Sequence, residues 1–337
     1  MFNNVNVDKF NTVLILISLL LAYLLPFELF LISYAILGPL HYITEINWIQ
    51  NKSYFLKEKY WLPICLTTAF IVFLPALFNL DILNKWFQES TKSFVKSIGA
   101  YTNVAIFISL LSAFTFLFIK TLYKRVLTLI FSIFLSFVLV QNNTFNLVFG
   151  IFLPTIIHVY VFTLLFMWYG SIKQNSKVGF FNVFLIAIVP ISIFLLPVNE
   201  GWQIMSTYVK NTYVENKFYL INVSLSKLLG ISDGTTFNFS DSTTAKIQLF
   251  ISFAYTYHYL NWFSKTNTIG WHKHITKSKL ILLLCVWILS VLLYVYNYKL
   301  GLIVLLFLSF MHVFLEFPIN LISIREIVKH YTQKIIK

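Results

Sequence analysis

Long apolar runs dominate this chain, and short polar or basic stretches punctuate them. Ten runs stand out, at about 10–25, 27–49, 61–80, 101–119, 125–141, 144–169, 179–197, 245–264, 278–297 and 300–322. Crossing a hydrocarbon core of about 30 Å takes about 20 apolar residues as a helix, so each run is expected to be a membrane span. Pro26 separates the first two runs, and the uncharged Gln141-Asn142-Asn143 separates the fifth from the sixth. The period-two alternation of an outer-membrane barrel is missing. The pattern therefore predicts an all-α, polytopic integral membrane helical bundle of about ten transmembrane helices, forming a single transmembrane domain over 1–337. No repeat of 20–50 residues is visible, and no pair of Gly/Pro-broken helices marks a midplane site in corresponding halves.

Composition agrees. The 337 residues are 58% hydrophobic and 11% charged, against about a quarter charged in a soluble domain. The formal net charge of +13 points to a basic cytoplasmic face rather than to nucleic acid, because the basic residues gather at alternate exits. Lys52, Lys57 and Lys59 follow the second run, Lys120, Lys124 and Arg125 the fourth, and Lys173 and Lys177 the sixth. Lys265, Lys273, Lys277 and Lys279 follow the eighth, and Arg325, Lys329, Lys334 and Lys337 the tenth. The positive-inside rule then places both termini in the cytoplasm, with a bacterial inner membrane as the expected location. The first run lacks a small-residue cleavage site, so it is expected to be a span rather than a signal peptide. Cys65 and Cys285 both fall within spans and are expected to be packing residues. Segment 198–244 is the one sizeable piece outside the spans, expected to be an extracytoplasmic interfacial helix plus loop.

Candidate chemistry lies within the spans. His41, His158, His258 and His312 sit on four runs of the same direction, each about 11 to 14 residues from its start. At 1.5 Å rise per residue they share a depth of roughly 17–21 Å. Glu45 and Glu316 follow His41 and His312 by four residues, on the same helix faces. A carboxylate near the bilayer centre costs at least about 2.5 kcal/mol, so such groups are expected to face the bundle interior. Tyr34, Gly38, His41, Glu45 and Trp48 form one stripe; Tyr255, His258, Asn261, Trp262 and Lys265 form another. Tyr34, Trp48, Tyr255, Asn261 and Trp262 are thus candidate substrate-binding residues. His272 and His274, in a basic loop, and His330 in the tail are expected to be solvated.

Neutral imidazole is the commonest metal ligand, and mixed histidine and carboxylate ligation suits non-haem iron, manganese or zinc. One ion could take the four histidines, with Glu45 and Glu316 orienting ring N–H groups; two ions could share histidines and glutamates. A single ion needs its ligand nitrogens within roughly 4 Å of one another. No nucleophile elbow, glycine-rich phosphate loop or metal-binding cysteine pattern is present.

With single histidines on separate helices and the sequence Gly38-Pro39-Leu40-His41, the chain resembles the bacterial β-carotene-cleaving dioxygenases, also called bacterio-opsin-related proteins. That resemblance implies a membrane-embedded iron enzyme using histidine ligands to cleave an apolar carotenoid. Tyr42 and Glu45 depart from the family pattern, which leaves the substrate open among carotenoid, other isoprenoid and lipid. Two other functions remain: a proton-coupled carrier using a His/Glu relay, and a bis-histidine haem protein.

Overall fold

The computed structural model describes residues 4–52, 60–197, 200–266, 268–271 and 275–335. Among them every regular element is helical. Helix α1 (Asn4–Leu24) stops where Leu25 leaves the helical region (φ −139°, ψ 63°), and α2 (Pro26–Ile32) begins with Pro26 in its first turn. Proline suits that position, since its fixed φ matches a helix start and its missing N–H would have no partner there. A π-helical turn, Ser33–Leu37, joins α2 to α3 (Gly38–Lys52), and the N–H of Gly38 bonds back to the carbonyl of Ser33. Pro39 follows at once. Its ring clashes with the carbonyl four residues back, and i→i+5 bonding relieves that clash.

Helices α4 (Trp61–Leu77), α5 (Asp81–Asn84), α6 (Glu89–Gly99), α7 (Thr102–Phe118) and α8 (Leu122–Leu139) come next. The expected turn at 141–143 is present, and Asn142 caps α9 (Asn143–Leu147), its Oδ1 accepting from Thr144 N at 2.8 Å. A longer π segment, Val148–Phe162, carries Pro154 and runs directly into α10 (Thr163–Gln174). Then follow α11 (Lys177–Leu195), α12 (Thr207–Glu215), α13 (Tyr219–Leu228), α14 (Ser242–Lys265), α15 (Lys277–Tyr296) and α16 (Tyr298–Ile335).

Helix lies under each of the ten expected runs. Among the described residues, seven helices are long and apolar enough to cross a membrane, or up to eight if α6 and α7, bent by 47°, form one span. Seven or eight candidate spans by length and composition fit a multi-pass membrane protein. Helix α4 is only 17 residues long, and α14 is long enough but too polar. Every residue of α14 from Ile247 to Tyr259 is buried, so this helix meets protein rather than lipid and needs no apolar coat.

The chain packs as two compact units. The first comprises Met1–His41, Thr155–Cys285 and Ser323–Lys337, with α14 packed against α1, α2, α11 and α13. Its polar side chains find partners there: Gln248 accepts from Tyr213 Oη at 2.6 Å and donates to the carbonyl of Pro26 at 3.2 Å. In the 198–244 segment, α12 packs on α2 and α13 on α14. Phe27, Phe30, Tyr213, Phe218 and Phe239 interlock between them. The expected interfacial helix is therefore a pair of short helices sealed onto the unit by aromatic rings.

The second unit comprises Tyr42–Pro154 and Val286–Ile322, in which α7 packs against α4 and α8. The buried residues of α8 are Ser132 and Ser136, a small-residue stripe of the kind that lets helices approach in lipid. Cβ at Gly301 would meet the Tyr294 ring at 2.6 Å, so the α15–α16 hairpin closes only with glycine there.

Candidate metal centre

Three histidines meet inside the first unit. His41 stands one turn beyond the π turn, and Ser33 of that turn bonds Thr256 of α14 at 2.8 Å between hydroxyls. That contact sets the π turn against α14 two residues before His258. Nε2 of His41 and Nε2 of His258 lie 3.0 Å apart, with ring centroids at 4.6 Å and planes at 76°. The ring of His158, from the long π segment, stands 4.9 Å from that of His258. Nδ1 of His258 is hydrogen-bonded to Oγ1 of Thr163 at 2.7 Å. His41, His158 and His258 are 1%, 2% and 6% exposed.

These three buried histidines of the first unit stand close together, where they could hold a metal ion. His312 is also buried, in the second unit.

The carboxylates sit differently. Glu45 and Glu316 are 3% and 2% exposed, in the second unit, where they interact electrostatically with each other. In the same unit Tyr42 stacks on the ring of His312, centroids 4.4 Å apart and planes at 22°.

Of the expected substrate residues, Trp262 lies against the centre, its ring 5.7 Å from that of His41. Tyr255 and Tyr34 are packed together at 5.8 Å with Phe30 and Phe218, and Tyr255 also touches Tyr259, whose ring lies beside that of His41. Asn261 is buried and accepts from Tyr257 Oη at 3.5 Å. Trp48 is half-buried on α3. His330 is half-buried, its ring against Tyr331 at 5.1 Å. His272 and His274 lie outside the described residues, as do Lys57, Lys59, Lys273 and Lys337.

Three neighbours of the imidazoles escaped the sequence pattern: Thr163, Tyr42 and Tyr259, the last with its ring 5.3 Å from His41 and 5.5 Å from His258. Thr163 comes five residues after His158. An α-helical wheel sets such residues on different faces, whereas i→i+5 bonding stacks them. Pro154 was the available signal that the wheel would fail. Tyr42 and Tyr259 each follow a histidine directly, off the stripes that helical spacing selects.

No family model, curated protein or solved structure matches this chain. The fold and the centre define a class: an all-α protein with several helices long and apolar enough to cross a membrane and three buried histidines gathered in one unit.

Proposed function

We propose that the chain is a membrane-embedded, metal-dependent oxidoreductase of the oxygenase type, acting on an apolar substrate such as a carotenoid, another isoprenoid or a lipid. The observation that carries this is the gathering of three buried imidazoles in one unit, with the His41 and His258 Nε2 atoms 3.0 Å apart and the His158 ring 4.9 Å from that of His258. Neutral imidazole is the commonest metal ligand and suits iron among the first-row metals. His41, His158 and His258 would hold the ion, and a bound iron would supply redox chemistry with oxygen. The protein's own part is to orient the imidazoles, to exclude water through Tyr259 and Trp262, and to offer an apolar approach. Glu45 and Glu316 are assigned as acid–base or ligand-orienting carboxylates.

The carrier alternative gains one observation. The π segments Ser33–Leu37 and Val148–Phe162 interrupt two histidine-bearing helices. The deciding experiment is anaerobic loading with iron(II) in nanodiscs, followed by oxygen uptake with a panel of carotenoids, isoprenoid alcohols and acyl lipids. Substrate-dependent uptake and an oxygenated product by mass spectrometry support the assignment. A metal-free protein that moves protons across liposomes supports the carrier.

A further inference from the structure

We infer that Thr163 is a positioning residue of the metal centre, fixing His258 as the Nδ1–H tautomer so that its Nε2 lone pair faces the ion. The assignment rests on the metal centre proposed above. An imidazole can bind a metal through one nitrogen only if that nitrogen carries no proton, so the group bonded to the other nitrogen decides which tautomer stands ready. For His258 both nitrogens are accounted for: Nδ1 meets Thr163 Oγ1 at 2.7 Å, and Nε2 meets His41 Nε2 at 3.0 Å. A threonine hydroxyl can accept Nδ1–H, and Thr163 is buried at 4% exposure with no bulk water to compete.

The backbone delivers this hydroxyl by a specific device. The π segment ends at Phe162 and α10 begins at Thr163. His158 and Thr163 are five residues apart, and the π bonding that precedes α10 brings both to the side of His258. One stretch of chain therefore presents an imidazole and the hydroxyl that orients a second imidazole. In a purely packing role, by contrast, Thr163 would donate its hydroxyl to Nδ1 and His258 would carry its proton on Nε2, turned toward His41.

The experiment uses the full chain in nanodiscs, with cobalt(II) as a spectroscopic probe and iron(II) under argon for affinity. Thr163→Val keeps the shape and removes the hydroxyl; Thr163→Ser keeps the hydroxyl. Loss of an outer-shell partner typically weakens metal binding about 10–100-fold. The expected result is that loss for Thr163→Val, with an altered cobalt ligand-field spectrum, and near wild-type behaviour for Thr163→Ser. Equal affinity in Thr163→Val and wild type would overturn the role of Thr163 while leaving the metal centre standing. A Thr163→Ser protein as weak as Thr163→Val would overturn it too. A wild-type protein that takes up no metal would sink the centre and this assignment together. If Thr163→Val fails to fold, nitrogen-15 NMR of histidine-labelled, zinc-loaded wild type decides: a proton on Nδ1 of His258 supports the assignment, and a proton on Nε2 overturns it.

Discussion

A buried imidazole that serves only packing needs one hydrogen-bond partner and an apolar wall. His258 has more than that: Thr163 on one nitrogen, His41 on the other, and the His158 ring at 4.9 Å. Three imidazoles so close would repel one another if protonated, so the group is suited to remain neutral and to share a cation. His41→Ala and His258→Ala should each abolish stoichiometric metal binding while leaving helix content unchanged by circular dichroism. Retained metal in either variant would return that histidine to packing. Glu45→Gln and Glu316→Gln keep volume and lose the anion. If the carboxylates orient imidazoles, metal affinity or activity should fall about 10–100-fold without loss of membrane insertion. Unchanged affinity and turnover in both would make the i,i+4 His-Glu pairs structural.

At the scale of elements, the apolar runs located the helices well because lipid imposes a simple rule on any face that meets it. Pro26 and Gln141-Asn142-Asn143 marked their breaks for local reasons, a helix start and an Asn cap. The rule weakened where protein replaces lipid. Helix α14 was legible as a run at 245–264, yet its tyrosines, Gln248, Thr256 and His258 make it too polar for a lipid-facing span. The π segments do not show in hydropathy; Pro39 and Pro154, whose rings clash with the carbonyl four residues back, were the signal that α-helical bonding would fail there. They matter for the centre, because Thr163 reaches His258 through the π register. Pro154→Ala restores an N–H and lets Val148–Phe162 relax toward α-helical bonding. Metal affinity should fall about 10-fold, the scale of a displaced supporting group. An unchanged affinity would mean that packing, not Pro154, holds the register.

For the molecule as a whole, orientation in the membrane remains an expectation from the basic exits. Asp233 lies in the 198–244 segment, and Lys124 lies at the start of α8. In a background with Cys65 and Cys285 replaced, cysteines introduced at these two positions should label from opposite sides of sealed vesicles. Labelling from the same side would sink the ten-span map with both termini inside. Cys285 is exposed and Cys65 buried, so the first replacement matters more for background labelling.

The central claim is that buried histidines on separate helices form one metal centre, and metal content read together with the optical spectrum tests it most directly. Purified, detergent-solubilised wild type should carry one or two iron ions per chain with no Soret band, and His41→Ala should carry none. A wild-type protein without stoichiometric metal after loading under argon, or one with a Soret band, would contradict it.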